Sequence, residues 1–317
     1  MPLLFRIFRN WTLPIAIVMG CSLYFLFSEV ESLAPAAMFF GPVFDVLFPF
    51  SVFLTLLASF CMVDFHKMVP SRWNVWLLLV QIGMIAVLVG IILIFDLSGD
   101  CRIVCESVLT CAIGPCATAS PVVTGKLGGN VNRMTLFLLV SSLVCALLIP
   151  LVFPLLERSA ETSFLGAFLH ILHRLAAVLV LPLFLGWVVR HYVHPLYEWM
   201  LRHRSLPFYL WAFSLTITSG ITVRNIVQSG SSVSVLIYIA LSSLALCLLL
   251  FAIGWSIGNR TGYRIECGQG MGQKNTAMAI WMSSVYLNPV ASLGPGCYVL
   301  WQNIVNSFEL WQMREKN

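Results

Sequence analysis

The sequence predicts an all-α polytopic membrane protein with ten transmembrane helices, arranged as two inverted five-helix repeats. Three observations carry that prediction. The 317 residues are 59% hydrophobic and only 10% charged, with a mean hydropathy of +0.91. That is more apolar surface than a soluble fold can hide, so the solvent must be lipid. Basic residues fall almost entirely on alternate loops. Two polar interruptions also sit at matching places in the two halves of the chain.

A spanning helix needs about 20 apolar residues, and the chain has room for roughly ten with little left over. The apolar runs lie at about 11–28, 42–62, 73–95, 103–125, 134–155, 164–189, 206–226, 233–257, 265–287 and 295–312. Breakers separate them: Pro35 and Gly41, Pro70, Ser98-Gly99, Gly128-Gly129, Pro207, Gly230 and Asn288-Pro289. The first run, beginning near Trp11, is followed directly by others and reads as a retained helix, not a cleaved signal peptide. The repeats then cover about 11–155 and 164–312 of a single transmembrane domain.

Loop charge tests the count and sets the direction. With the N-terminus cytoplasmic, the inside segments hold Arg6, Arg9, Lys67, Arg72, Lys126, Arg133, Arg190, Arg202, Arg204, Arg260, Arg264, Arg314 and Lys316. The outside loops hold Arg102 and Arg158, with Arg224 near an outer helix end. An error of one span would destroy this positive-inside bias. The expected placement is a multi-pass protein of the cell (inner) membrane with both termini cytoplasmic. Its partners are the bilayer and a substrate, with no nucleic acid. A monomer is expected, with the oligomeric state left open.

Span four contains Gly114-Pro115 and Ser120-Pro121, flanked by Thr118 and Thr124. Proline removes a backbone donor and clashes with the preceding turn, so this helix should kink or break. Span nine reads GQGMGQKNTAMAI from Gly268, with Gly268, Gly270 and Gly272 ahead of Lys274 and Asn275. Three glycines in five residues leave little helical preference. Each break lies in the fourth span of its half, and an odd number of spans inserts the halves in opposite directions. Broken helices that cross near the midplane bind ions and substrate through freed backbone groups and half-helix dipoles.

The stretches GPCATASPVVTG (114–125), GMGQKN (270–275) and FCMVDFHKMVPSRW (60–73) resemble segments of the bile acid:sodium symporter superfamily. The chain is identified as a divergent, bacterial-type member. The resemblance implies a panel of helices one, two, six and seven beside a core of helices three to five and eight to ten, with four and nine crossing in the core. It also implies alternating-access transport of an organic anion, a bile acid or a smaller carboxylate, with Na+ symport. The family's first sodium site takes a serine and an asparagine from span four and hydroxyls from span five. Here Ser120 matches, Pro121 replaces the asparagine, and Met134 and Leu138 replace the hydroxyls, leaving Thr135 as the nearest oxygen. At the second site Gln81 matches one glutamine, Gly270 falls at the glutamate and Lys274 at the other glutamine, with Glu266 four residues before Gly270. Asn275 matches a substrate-contacting asparagine, or caps the second half-helix, and Thr118, Ser120 and Thr124 are expected either to meet the substrate or to bond their own helix.

Four readings of Lys274 stand open, because an unpaired ammonium in a bilayer costs at least about 2.5 kcal/mol. It takes the place of sodium, held by Gln81, Gln269, Gln273 and freed carbonyls, with sodium coupling lost or replaced by proton coupling. It pairs with the substrate anion. It pairs with Glu106 or Glu266. It snorkels. His170, His173 and Arg174 in span six are either interfacial or an entry for anions. The ten cysteines lack any C-x-x-C pair and read as small apolar residues. One of them, Cys116, raises the alternative of an arsenite or other oxyanion efflux permease. A receptor or intramembrane enzyme using Lys274 is the alternative from another class.

Overall fold

A computed structural model describes residues 12–61, 69–156, 163–203, 205–228 and 230–315. The aspartate–phenylalanine turn within 62–68 lies outside them, as do Trp11, Arg6, Arg9, Lys67, Arg158, Arg204 and Lys316. The described chain is helical almost throughout, with no strand among the described residues. The helices are α1 (Thr12–Glu29), α2 (Ala34–Cys61), α3 (Arg72–Ile94), α4 (Gly99–Ile113), α5 (Ser120–Lys126), α6 (Val131–Leu156) and α7 (Phe164–Leu175). They continue with α8 (Leu181–Tyr192), α9 (His194–Arg202), α10 (Leu206–Gln228), α11 (Val233–Thr261), α12 (Arg264–Gly272), α13 (Thr276–Tyr286) and α14 (Leu293–Glu315).

Among the described residues, five stretches are long and apolar enough to cross a bilayer: Pro42–Cys61, Arg72–Ile94, Val131–Leu156, Phe164–Tyr192 and Val233–Thr261. The protein is an all-α membrane protein, and its outward-facing apolar side chains are those a lipid solvent permits. Val75 and Val87 on α3, for example, are 58% and 61% exposed. A π turn at Ala176–Val180 joins α7 to α8. It lies just before Pro182, whose missing N–H an extra residue in the turn accommodates.

The turns Ser98-Gly99, Gly128-Gly129 and Gly230 end or separate helices as expected, with positive φ at Gly99, Gly128 and Gly230. Of the breakers expected at Pro35 and Gly41, Pro35 lies just past the turn that parts the first two helices, while Gly41 lies inside the second. The second helix starts at Ala34 and runs through Pro42 and Pro49. Pro35 sits in the first turn, where no intrahelical donor is lost, and membrane helices tolerate internal proline where neighbours re-satisfy the backbone.

Packing divides the helices into two groups. In one, α10 lies against α1 and α2, and α2 against α8. The α1–α10 crossing brings backbones together: a Cβ on Gly20 would lie 2.1 Å from the Thr216 carbonyl oxygen. In the other, α11 packs on α12, α14 and α4, α3 on α4, and α5 on α6. One large apolar cluster surrounds the two interrupted helices, with Leu77, Phe137, Phe251, Met271 and Tyr298 among its members, and continues into the first group through Phe48, Leu56 and Ile217.

Candidate functional site

The first interruption is the non-helical stretch 114–119, extended at first and closing in a turn at 118–119, between the end of α4 and the start of α5. Pro115 ends the helical path at Gly114. Ser120-Pro121, expected to add a second kink, instead starts α5, with proline in the first turn where its missing donor costs nothing. The second interruption is narrower than expected. Gly268, Gly270 and Gly272 lie inside α12, and the break falls on Gln273, Lys274 and Asn275. The glycines serve packing: a Cβ on Gly268 would meet the Trp255 indole at 2.4 Å, and one on Gly272 the Phe251 ring at 2.4 Å. Hydrogen bonding within the helix and these close contacts outweigh the weak propensity of glycine.

The two breaks cross and pair as a short antiparallel bridge between Cys116 and Lys274. Asn275 N–H donates to the Pro115 carbonyl at 2.9 Å, and Ala117 N–H to the Gln273 carbonyl at 3.0 Å. The two central N–H groups are satisfied by side chains of flanking helices. Cys116 N–H donates to Ser141 Oγ of α6 at 3.0 Å, and Lys274 N–H to Gln302 Oε1 of α14 at 2.8 Å. Tyr298 of α14 donates its hydroxyl to the Gly272 carbonyl at 2.8 Å. Away from water each unpaired backbone group costs several kcal/mol, which is why so many partners converge here.

Lys274 is 1% exposed, and its Nζ donates to the Gly114 carbonyl at 3.2 Å. Gln81 Nε2 donates to the same carbonyl at 3.1 Å and to that of Ala112 at 3.0 Å. Both side chains therefore cover the C-terminal carbonyls of α4, the negative end of its dipole, where a cation is stabilised. Among the described residues no carboxylate lies within ion-pair distance of Lys274. Glu106 is taken by Arg102 at 2.6 Å, and Glu266 accepts from Asn130 N–H at 2.5 Å. The expected pairing of Lys274 with either glutamate is therefore not formed.

Of the sequence-predicted residues, Gln81, Ser120, Gln273, Lys274 and Asn275 are brought together. Ser120 Oγ donates to Gln273 Oε1 at 2.9 Å and stands 3.2 Å from the Cys116 thiol. Gln273 therefore does not hold the ammonium. Asn275 Oδ1 accepts from Met278 N–H and caps α13. Thr118 is half-buried, and Thr124 is buried with no partner for its hydroxyl. Neither returns a bond to its own helix. Three residues stand apart from the bridge. Thr135 bonds its own helix at the Val131 carbonyl. Glu266 lies at the start of α12. Gln269 turns its amide to Asn306 and Glu309 of α14, at 3.2 and 2.5 Å.

Sodium does not fit this residue set. It asks for five or six hard oxygens, on the same logic as other hard cations. Here Met134 and Leu138 are wholly buried apolar side chains, Pro121 offers no side-chain oxygen, and an ammonium already occupies the freed Gly114 carbonyl. Sequence reasoning missed Ser141, Gln302 and Tyr298. Gln302, with Asn303 and Asn306 close by in the last apolar run, carried a signal; Ser141 and Tyr298 did not stand out from their neighbours.

The profile of the sodium bile acid symporter family matches residues 46–234, more than half of the chain. This chain belongs to that family. The match includes the first interruption, while the Lys274 break lies beyond it. No curated protein matches the chain. Sodium bile acid symporter family proteins are membrane transporters and not enzymes, so the receptor and enzyme readings of Lys274 fall away.

Proposed function

We propose that this family member moves an organic anion, a bile acid or a smaller carboxylate, by alternating access, with the tethered ammonium of Lys274 in place of a sodium ion. The observation that carries the reading is the seat of Nζ: buried, 3.2 Å from the Gly114 carbonyl, at the C-terminal end of a half-helix and with no carboxylate partner among the described residues. An ammonium there supplies the charge that a bound cation would, without leaving when the site opens. Thr118 and Thr124, whose hydroxyls are uncommitted, and Asn275 at the positive end of α13 are the proposed contacts for the substrate carboxylate.

The proposed architecture is ten spans with both termini cytoplasmic in the inner membrane, as inverted repeats over about 11–155 and 164–312. Supporting it, Ser141 and Gln302 meet the two central N–H groups of the bridge from α6 and α14, the fifth span of each half. The packing groups support a panel of α1, α2, α8 and α10 beside a core of the remaining long helices, with α7 packed on α6.

Without sodium, an imported monoanion meets the membrane potential alone. At 100 mV that opposes entry by about 2.3 kcal/mol, roughly a fifty-fold ratio. Accumulation then needs a co-transported proton or a counter-exchanged anion. Proteoliposomes given an inward sodium gradient, an inward proton gradient or an internal counter-anion separate these cases. Sodium is expected to leave uptake unchanged, and strict dependence on its gradient would sink the proposal. Lys274→Gln is expected to restore partial sodium sensitivity, limited by Pro121.

A further inference from the structure

A cavity of about 720 Å³ lies away from the bridge, where the first turn of α3 meets the last turn of α11. Both helices are long and apolar enough to cross the bilayer, so their ends mark the depth of the lipid headgroups. Arg72 lines the cavity from α3 and Arg260 from α11. Both are exposed, and among the described residues neither guanidinium has a hydrogen-bond or ion-pair partner. A third arginine borders the cavity. Arg133 donates to Ser71 Oγ and lies over the Tyr263 ring at 4.7 Å, and both of those residues are lining residues. None of the described lining residues is acidic. The indole N–H of Trp73, also in the wall and 1% exposed, has no acceptor.

Three positive charges with no counter-charge among the described residues, on a space worth about two dozen water volumes, call for an anion. The surroundings say which kind. Deeper along the same helices the wall turns apolar at Val80 and Ile257. Beside it the outer faces carry Leu79 at 53% and Leu249 at 51% exposure, surface that in a membrane lies against acyl chains. Trp76, 55% exposed at the mouth, has the amphipathic ring that settles at the headgroup boundary.

We propose that this cavity binds the phosphate of an anionic phospholipid between Arg72 and Arg260, with the acyl chains along the outer faces of α3 and α11. Arginine suits the role because its fork meets two phosphate oxygens at once, and each basic group near an anionic headgroup strengthens binding several-fold. The site is separate from the bridge and does not depend on the proposed substrate or coupling.

The test uses the full chain in detergent. Native mass spectrometry is run with added phosphatidylglycerol or phosphatidylcholine, on the wild type and on Arg72→Gln/Arg260→Gln. Arg190→Gln/Arg202→Gln is the control for general charge. The wild type is expected to retain phosphatidylglycerol preferentially, the cavity variant to bind it roughly thirty-fold more weakly, and the control to keep the preference. Equal retention of both lipids by the wild type, or an unchanged preference in the cavity variant, overturns the proposal. So does displacement of the lipid by inorganic phosphate at matched concentration, which would make this a site for soluble anions. A photoactivatable phosphatidylglycerol on the wild type gives a readout independent of variant folding. Crosslinks are expected on 73–80 of α3 or 249–257 of α11, and crosslinks confined elsewhere refute the assignment.

Discussion

Replacing Lys274 by methionine separates a functional ammonium from a structural one. The variant keeps the length and most of the volume of the side chain and removes only Nζ and its charge. The lost contact is one charged hydrogen bond, to the Gly114 carbonyl at 3.2 Å, worth about 1.5–3 kcal/mol. That carbonyl does not become an orphan, because Gln81 Nε2 still donates to it at 3.1 Å. The backbone bridge also survives, since Lys274 N–H donates to Gln302 through the main chain. Against the loss stands the removal of a charge buried at membrane depth, about 2.5–3.5 kcal/mol for a lysine near a helix centre. The balance runs from about zero to about 2 kcal/mol in favour of the variant. Lys274→Met is therefore expected to match or exceed the wild type in apparent Tm, measured in detergent at one scan rate, while losing anion uptake in proteoliposomes. A stability retained and a function lost is the mark of a residue kept for its charge. Destabilisation by more than about 2 kcal/mol, or uptake equal to the wild type, refutes the reasoning.

Other outcomes follow from the same geometry. Gln81→Leu strips the Ala112 carbonyl of the amide N–H that Gln81 gives it and is expected to cost about 1–3 kcal/mol, read as a lower apparent Tm. Ser141→Ala and Gln302→Leu each orphan one central N–H of the bridge. They should be destabilising by similar amounts, about 1–3 kcal/mol; a large effect from one and none from the other would break the correspondence between α6 and α14. Gly272→Ala places a Cβ at 2.4 Å from the Phe251 ring and is expected to cost about 1–3 kcal/mol of overpacking, with Phe251→Leu in the same chain restoring part of it.

The amino-acid sequence alone determined the solvent, the helical class and which two helices are interrupted. Composition forces a lipid environment, and in lipid only structures that satisfy their own backbone survive, so apolar runs of spanning length must be helical. Gly114-Pro115 marked the first break to the residue, because proline cannot donate and glycine does not resist. The second break was located less well. Gly268, Gly270 and Gly272 looked like the interruption and proved to be notches for Trp255, Phe137 and Phe251, information held by residues far along the chain. The same holds for α2, where local rules for Gly41, Pro42 and Pro49 gave way to a helix that the bilayer and its neighbours sustain.

What tertiary structure decided was which polar groups meet. The sequence supplied Gln81, Ser120, Gln273, Lys274 and Asn275 as candidates without telling donors from acceptors among them. Only the crossing of α4–α5 with α12–α13 sends Gln273 to Ser120, and both Gln81 and Lys274 to the end of α4. It equally separates Glu266, Gln269 and Thr135 from the bridge, although spacing along one helix set the first two near Lys274. Ser141, Gln302 and Tyr298 entered the site only through space, each brought to a backbone group freed by a break on another helix. Residue types fix which groups must find partners away from water; the path of the folded chain fixes which partners are within about 3 Å.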